Sequence, residues 1–127
     1  RIAAGSGEML CLGNMSIQRD WGWAPEYVEG MWRMVQEDNP GDFVLATGHT
    51  ASLQDFVQTT FESLGMDWQN HVVTDKSFLR PTDLAVSIAN PTKTKDVLGW
   101  ETKFKMEDVV KMMIDGIKSK DDSLQNL

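Results

Sequence analysis

Two arginines are placed as side chains that could grip an anion. Arg19 follows Leu12-Gly13-Asn14 and opens the run Arg19-Asp20-Trp21-Gly22, while Arg80 follows Phe78-Leu79 and precedes Pro81-Thr82-Asp83. A guanidinium is a permanent cation with a planar fork of donors, and it meets a phosphate through two parallel hydrogen bonds. Proline restricts the residue before it to extended backbone, so Pro81 fixes how Arg80 is aimed. The competing reading pairs Arg19 with Asp20, and Arg80 with Asp75 or Asp83, in ordinary ion pairs. Asp83 reads equally well as a carboxylate for ligand hydroxyls and as a turn residue. Asn14 is a candidate ligand contact, although an asparagine after glycine more often bonds its own turn.

Groups that would transform a bound ligand are missing from the pattern. Gly5-Ser6-Gly7 begins like a dinucleotide fingerprint, but Leu10 stands where the third glycine belongs and no strand precedes it. There is no phosphate-binding P-loop. Tyr27 is the single tyrosine, and four residues on stands Met31 rather than the lysine of a Tyr-x-x-x-Lys proton-transfer pair. His49 and His71 have no partners at metal-ligand spacing. No catalytic residue, metal or cofactor is therefore expected in this chain.

The elements that must position these arginines follow from composition and periodicity. A chain of 127 residues, 41% hydrophobic and 24% charged, is a single folded domain. Its net charge of −7 argues against nucleic acid or an anionic membrane as partner. Cys11, the one cysteine, sits in Met9-Leu10-Cys11-Leu12 and reads as a buried thiol on a short strand. With no disulfide available and no apolar run near the roughly 20 residues of a membrane span, a cytoplasmic setting is expected. Arg1-Ile2-Ala3-Ala4-Gly5 reads as the tail of a helix, which suggests a piece of a longer protein.

Pro25 suits the first turn of a helix that carries Tyr27, Val28, Met31, Trp32 and Val35 and stops near Asn39-Pro40-Gly41. Phe43-Val44-Leu45-Ala46 reads as a buried parallel strand. Ser52 with Asp55 forms a capping box before the stripe Leu53, Phe56, Val57, Phe61 and Leu64, and Gly65 closes that helix. Residues 68–73 read as an edge strand, and residues 85–89 as a short extended stretch. Asn90-Pro91 opens a helix that Gly99 ends. Val109, Val110, Met113, Ile114 and Ile117 line the last helix, before a polar, frayed tail over 119–127. Trp21, Trp23 and Trp32 read as core anchors. The result is one small mixed α/β domain over 1–118.

These runs, taken in order, resemble the C-terminal part of the GDP-mannose 4,6-dehydratase family, a group of extended short-chain dehydrogenases/reductases. The likeness is carried by Leu12-Gly13-Asn14, Arg19-Asp20-Trp21-Gly22, Pro25-Glu26-Tyr27-Val28-Glu29-Gly30-Met31-Trp32, Phe43-Val44-Leu45-Ala46-Thr47-Gly48, Phe78-Leu79-Arg80-Pro81-Thr82-Asp83, Asn90-Pro91-Thr92-Lys93 and Leu98-Gly99-Trp100. It implies a substrate-binding domain without the Rossmann domain that holds NADP and the catalytic set. It further implies that Arg19 and Arg80 contact a nucleotide diphosphate and that Asp83 meets nucleotide hydroxyls, the ligand being GDP-mannose or another GDP-sugar. Asp83 replaces the family's glutamate, His49 and Ala51 replace its Glu and His, and the stretch between Trp68 and Phe78 is shorter. Three readings of function stand together. The first is the GDP-sugar-binding portion of a dehydratase, inactive alone. The second is the substrate domain of a related nucleotide-sugar reductase or epimerase. The third is a non-catalytic module that self-associates as a homo-oligomer.

Overall fold

The computed structural model describes residues 1–80 and 82–125, with side chains through residue 119; Pro81, and with it the argument about how Arg80 is aimed, lies outside the described residues. Strand β1 (Leu10–Leu12) and strand β2 (Gln18–Asp20) come first, followed by helix α1 (Ala24–Gln36). Strand β3 (Thr50–Ser52) runs directly into helix α2 (Leu53–Glu62), and strand β4 (Val72–Thr74) follows. Helix α3 (Thr92–Leu98) and helix α4 (Met106–Gln125) complete the order.

The strands form two small sheets. β1 lies parallel to β4, with Leu10 beside Val72 and Leu12 beside Thr74. β2 lies antiparallel to β3, with Gln18 beside Ser52 and Asp20 beside Thr50. The capping box joins β3 to α2: the Asp55 N–H donates to Ser52 Oγ at 3.0 Å, and the Ser52 N–H donates to Asp55 Oδ2 at 2.9 Å. The Ser52 hydroxyl, donating to Asp55 Oδ2 at 2.6 Å, and next the Ser52 N–H hold the Asp55 carboxyl below the usual carboxylate range, because both bonds favour the charged form. Gly65, at φ +71, supplies the left-handed turn after α2.

One apolar cluster supports the sheets. Val57 and Phe61 of α2 bury against Met15 and Val72, with Leu10, Leu12, Leu53, Met66 and Trp68 packed around them. Elsewhere Trp100 is only 2% exposed, and Val109 and Val110 of α4 are buried. Trp100 fastens α1, because its indole Nε1 donates to Glu26 O at 3.0 Å. A Cβ on Gly30 would lie 2.7 Å from Leu45 Cδ2 and 3.0 Å from Trp100 Cε2, so only glycine lets the helix approach this closely.

Several expectations are corrected. Residues 43–46 join no ladder: the Val44 N–H donates to Thr94 Oγ1 at 3.1 Å and the same hydroxyl donates to Val44 O at 2.7 Å. A side chain thus takes the place of a neighbouring strand. Cys11 is exposed, because β1 pairs on one side only and its central residue faces outward. Residues 68–73 split into a 3-10 turn, Trp68–Asn70, and the start of β4. Trp21 packs on Phe56 with ring centroids 4.7 Å apart, but Trp32 is 62% exposed and is no core anchor. α4 continues through the polar residues to Gln125.

Candidate functional site

Arg19 is the middle residue of β2, and its guanidinium Nη1 donates to Gln18 O and to Leu84 O, both at 2.8 Å. The backbone continues the attachment. The Gln18 N–H donates to Ala85 O at 2.8 Å, and the Ser87 N–H donates to Gln18 O at 3.1 Å, giving a parallel bridge between Gln18 and Val86. The extended stretch read from residues 85–89 is thereby laid along β2.

Arg19 forms no ion pair with Asp20, for a geometric reason: successive side chains in a strand point to opposite faces. Asp20 instead accepts the N–H groups of Thr47 (Oδ1) and Gly48 (Oδ2), each at 2.9 Å, and the Tyr27 hydroxyl at 3.3 Å. One carboxylate therefore joins β2, α1 and the turn at Gly48, whose φ is +72. Lys105 Nζ adds a bond to Thr47 O at 3.2 Å. Burial, and next the charge of Asp20, push the Tyr27 phenol up to about 12. The sequence reading missed this hub. Its signal was Asp20 itself, one residue beyond an arginine and so bound for the other face of the strand.

Arg80 and Asp83 occupy an exposed turn in which the Asp83 N–H donates to Arg80 O at 3.2 Å. Among the described residues Arg80 enters no ion pair. Asp75 is occupied differently, accepting the Ser77 N–H at 2.8 Å at the head of the 3-10 turn Lys76–Phe78, and that bond draws its carboxyl below the usual range. Asn14 behaves as a turn residue, its Oδ1 accepting the Ser16 N–H at 2.9 Å and the Ser16 hydroxyl at 2.7 Å. With Gly13, Met15, Thr74, Asp75, Lys76 and Leu79 it also lines a shallow cavity of about 260 Å³. Gly13 is required there, since a Cβ would come within 2.9 Å of Phe78 O.

These contacts tie the segment carrying Arg80 to β2 at its Leu84 end. Leu79 borders the Asn14 cavity, and Leu84 is held by Arg19. Arg80 follows Leu79 directly and precedes Leu84 by four residues, so its Cα lies within about 14 Å of Leu84's by chain length alone. Asn14 lines a cavity with Leu79 and with Lys76, a cation that the sequence reading did not single out, while Arg19 bonds to Leu84, so the two contacts lie at either end of the stretch that carries Arg80 and Asp83. No group of His, Cys, Asp or Glu among the described residues could hold a metal ion, and no described helix is long and apolar enough to cross a membrane.

Comparison with known proteins agrees with this architecture. The family model for GDP-mannose 4,6 dehydratase matches residues 1–113. GDP-mannose 4,6 dehydratase 1 of Arabidopsis thaliana is 41% identical over 115 residues, covering 91% of this chain and 32% of that protein. Among solved structures, RMD from Pseudomonas aeruginosa complexed with NADPH superposes with a TM-score of 0.79 at 13% identity, over 94% of this chain and 39% of that one. A UDP-glucose 4-epimerase from Thermotoga maritima, solved with UDP-glucose, gives 0.78 at 23% identity, over 90% of this chain and 36% of that one. Both structural likenesses describe the fold. The chain spans about a third of the length of the curated relatives it matches.

Proposed function

We propose, from the premise that this chain belongs to the GDP-mannose 4,6-dehydratase family, that it supplies the part of such a protein that holds the nucleotide end of a GDP-sugar. The observation that supports the reading is the bond from Arg19 to Leu84 O, four residues after Arg80, together with an Arg80 guanidinium that enters no ion pair with any described carboxylate. Arg80 is assigned the diphosphate. Arg19 has Nη2 and Nε left for the same anion while Nη1 holds the segment in place. Asp83 is assigned to ribose hydroxyls, and Asn14 and Lys76 border the adjoining cavity.

The residues present do not fit a dinucleotide. Gly5-Ser6-Gly7 lies in an exposed loop after a 3-10 turn, with no helix opening from it, and the one tyrosine hydroxyl is committed to Asp20. The NADP of a whole dehydratase therefore belongs to parts of the protein that this chain does not match, and the chain alone is inferred to be inactive.

Calorimetric titration with GDP-mannose, with UDP-glucose as control, tests the assignment. Arg80→Ala is the informative variant, because Arg19→Ala also cuts the Leu84 tether. Loss of charge-assisted bonds worth about 1.5–3 kcal/mol should weaken GDP-mannose binding about 10- to 150-fold, with no change in thermal midpoint. Folded protein that binds neither nucleotide sugar would sink the reading. Equal binding of both would move it to a related nucleotide-sugar reductase or epimerase.

A further inference from the structure

We propose that the cleft between the Thr47–His49 turn, α3 and the start of α4 is a second anion site, one that takes a small phosphoryl oxyanion. Gly99, at φ +60, ends α3 and turns the chain so that Trp100 is buried and Glu101 meets Lys95. The cleft measures about 190 Å³. At roughly 30 Å³ per water it holds about six waters, more room than a five-atom tetrahedral oxyanion needs. Its floor is Ala46, Thr47 and Trp100, all three buried. Lys95, Lys105 and His49 stand around that floor with a single carboxylate, Glu101. In a chain of net charge −7 this is a local excess of cations, and a concave wall of one sign concentrates its field on the space it faces.

The hydrogen bonds show how those cations are disposed. Lys105 Nζ lies 3.2 Å from Thr47 O, and His49 Nδ1 lies 3.1 Å from the same oxygen. Two nitrogens this near to one oxygen are within reach of the several oxygens of one oxyanion. A carbonyl only accepts, so His49 Nδ1 carries its proton toward Thr47. Nε2 is left to accept from a P–O–H or, when protonated, to donate. An ammonium has three donors. Lys105 spends one on Thr47 O and Lys95 spends one on Glu101 Oε2, at 2.6 Å, which leaves two on each. Lysine meets phosphate as a point charge and does not need the planar fork of an arginine. The Thr102 hydroxyl, in no described hydrogen bond, adds a neutral donor at the wall. Glu101 is the carboxylate of the cleft that competes with an anion for Lys95. None of these residues takes part in the proposed nucleotide site.

Sodium phosphate titrated into the full chain at constant ionic strength, followed by NMR, tests the site. The His49 ring signals and the Lys105 amide should move along one saturable curve, and chloride should not move them. Lys105→Gln should raise Kd about 10-fold, the loss of one charge-assisted hydrogen bond, while Lys111→Gln at an exposed position of α4 should leave it unchanged. Should Lys105→Gln fail to fold, Lys95→Gln replaces it. Glu101→Gln removes the internal competitor and should lower Kd about 2- to 5-fold, the range for an exposed ion pair. Asp38→Asn, at an exposed carboxylate outside the cleft, should not. Methyl phosphate as a second probe separates the sources. Tighter binding than inorganic phosphate assigns a phosphorylated metabolite, weaker binding assigns the free ion, and both support the site. Shifts that rise without saturating, equal shifts with chloride, a Kd indifferent to Lys105→Gln, or one lowered as much by Asp38→Asn as by Glu101→Gln would overturn the proposal.

Discussion

The strand around Arg19 and the turn around Arg80 differ in how much of their polar surface the protein itself consumes. At β2, one guanidinium nitrogen is spent on two carbonyls, and the next residue's carboxylate gathers two amides and a phenol. At the turn, one backbone bond closes the loop, and the Arg80 side chain joins no described carboxylate. In the site proposed above, β2 would serve as a stiff base and the Arg80 turn as an exposed tip. The base fixes where the tip can be, and the tip keeps its donors for whatever arrives. Preorganisation of this kind lowers the ordering cost of binding without adding contacts.

The sharpest way to break the contrast is at the carboxylates. Asp20→Ala leaves the Thr47 and Gly48 N–H groups without their acceptor, and bonds to a charged group are worth about 1.5–3 kcal/mol each. Destabilisation of about 2–4 kcal/mol is expected by urea unfolding, against less than about 0.5 kcal/mol for Asp83→Ala on the exposed turn. Equal effects would mean that the two regions do not differ as described.

The arginines give a smaller version of the same comparison. Arg19→Ala removes two bonds to backbone carbonyls and should cost about 1–3 kcal/mol, while Arg80→Ala should stay within about 0.5 kcal/mol. Proteolysis near residue 84 would sharpen the result, being faster in Arg19→Ala and unchanged in Arg80→Ala.

The smallest effect isolates the hub by spectroscopy. Tyr27 is the only tyrosine, so tyrosinate absorbance reports one group, with an expected midpoint at about 12 rather than the ordinary 10.0. The raised phenol favours the protonated folded form. Its contribution to stability is therefore complete below pH 10 and is lost as pH rises through 12. Tyr27→Phe should flatten that alkaline slope, and a midpoint at 10 in the folded protein would remove Tyr27 from the hub.

Local rules in the sequence were enough for the helices. Ser52 with Asp55, Pro25, Gly65 and Gly99 mark helix ends by bonds and dihedrals that a few neighbouring residues determine. The strands were harder to read, because a strand is defined by its partner. Residues 43–46 have the composition of a buried strand, yet a threonine fifty positions away takes the place of one. Cys11 has the apolar neighbours of a buried thiol, and only the one-sided pairing of β1 exposes it. At the candidate site, residue types pointed to Arg19 and Arg80. That one is anchored and the other exposed depends on Leu84 and on strand alternation, which no local motif encodes.

Thr94 has a further consequence. Its hydroxyl, fully buried, acts as donor and acceptor toward Val44 and so occupies the bonding positions that an incoming β-strand would use. An apolar extended run with open backbone groups is a template for intermolecular β-sheet. Here one residue's share of that template is filled from within, by a single oxygen atom. A chemist reading the sequence for solubility would have no reason to look there.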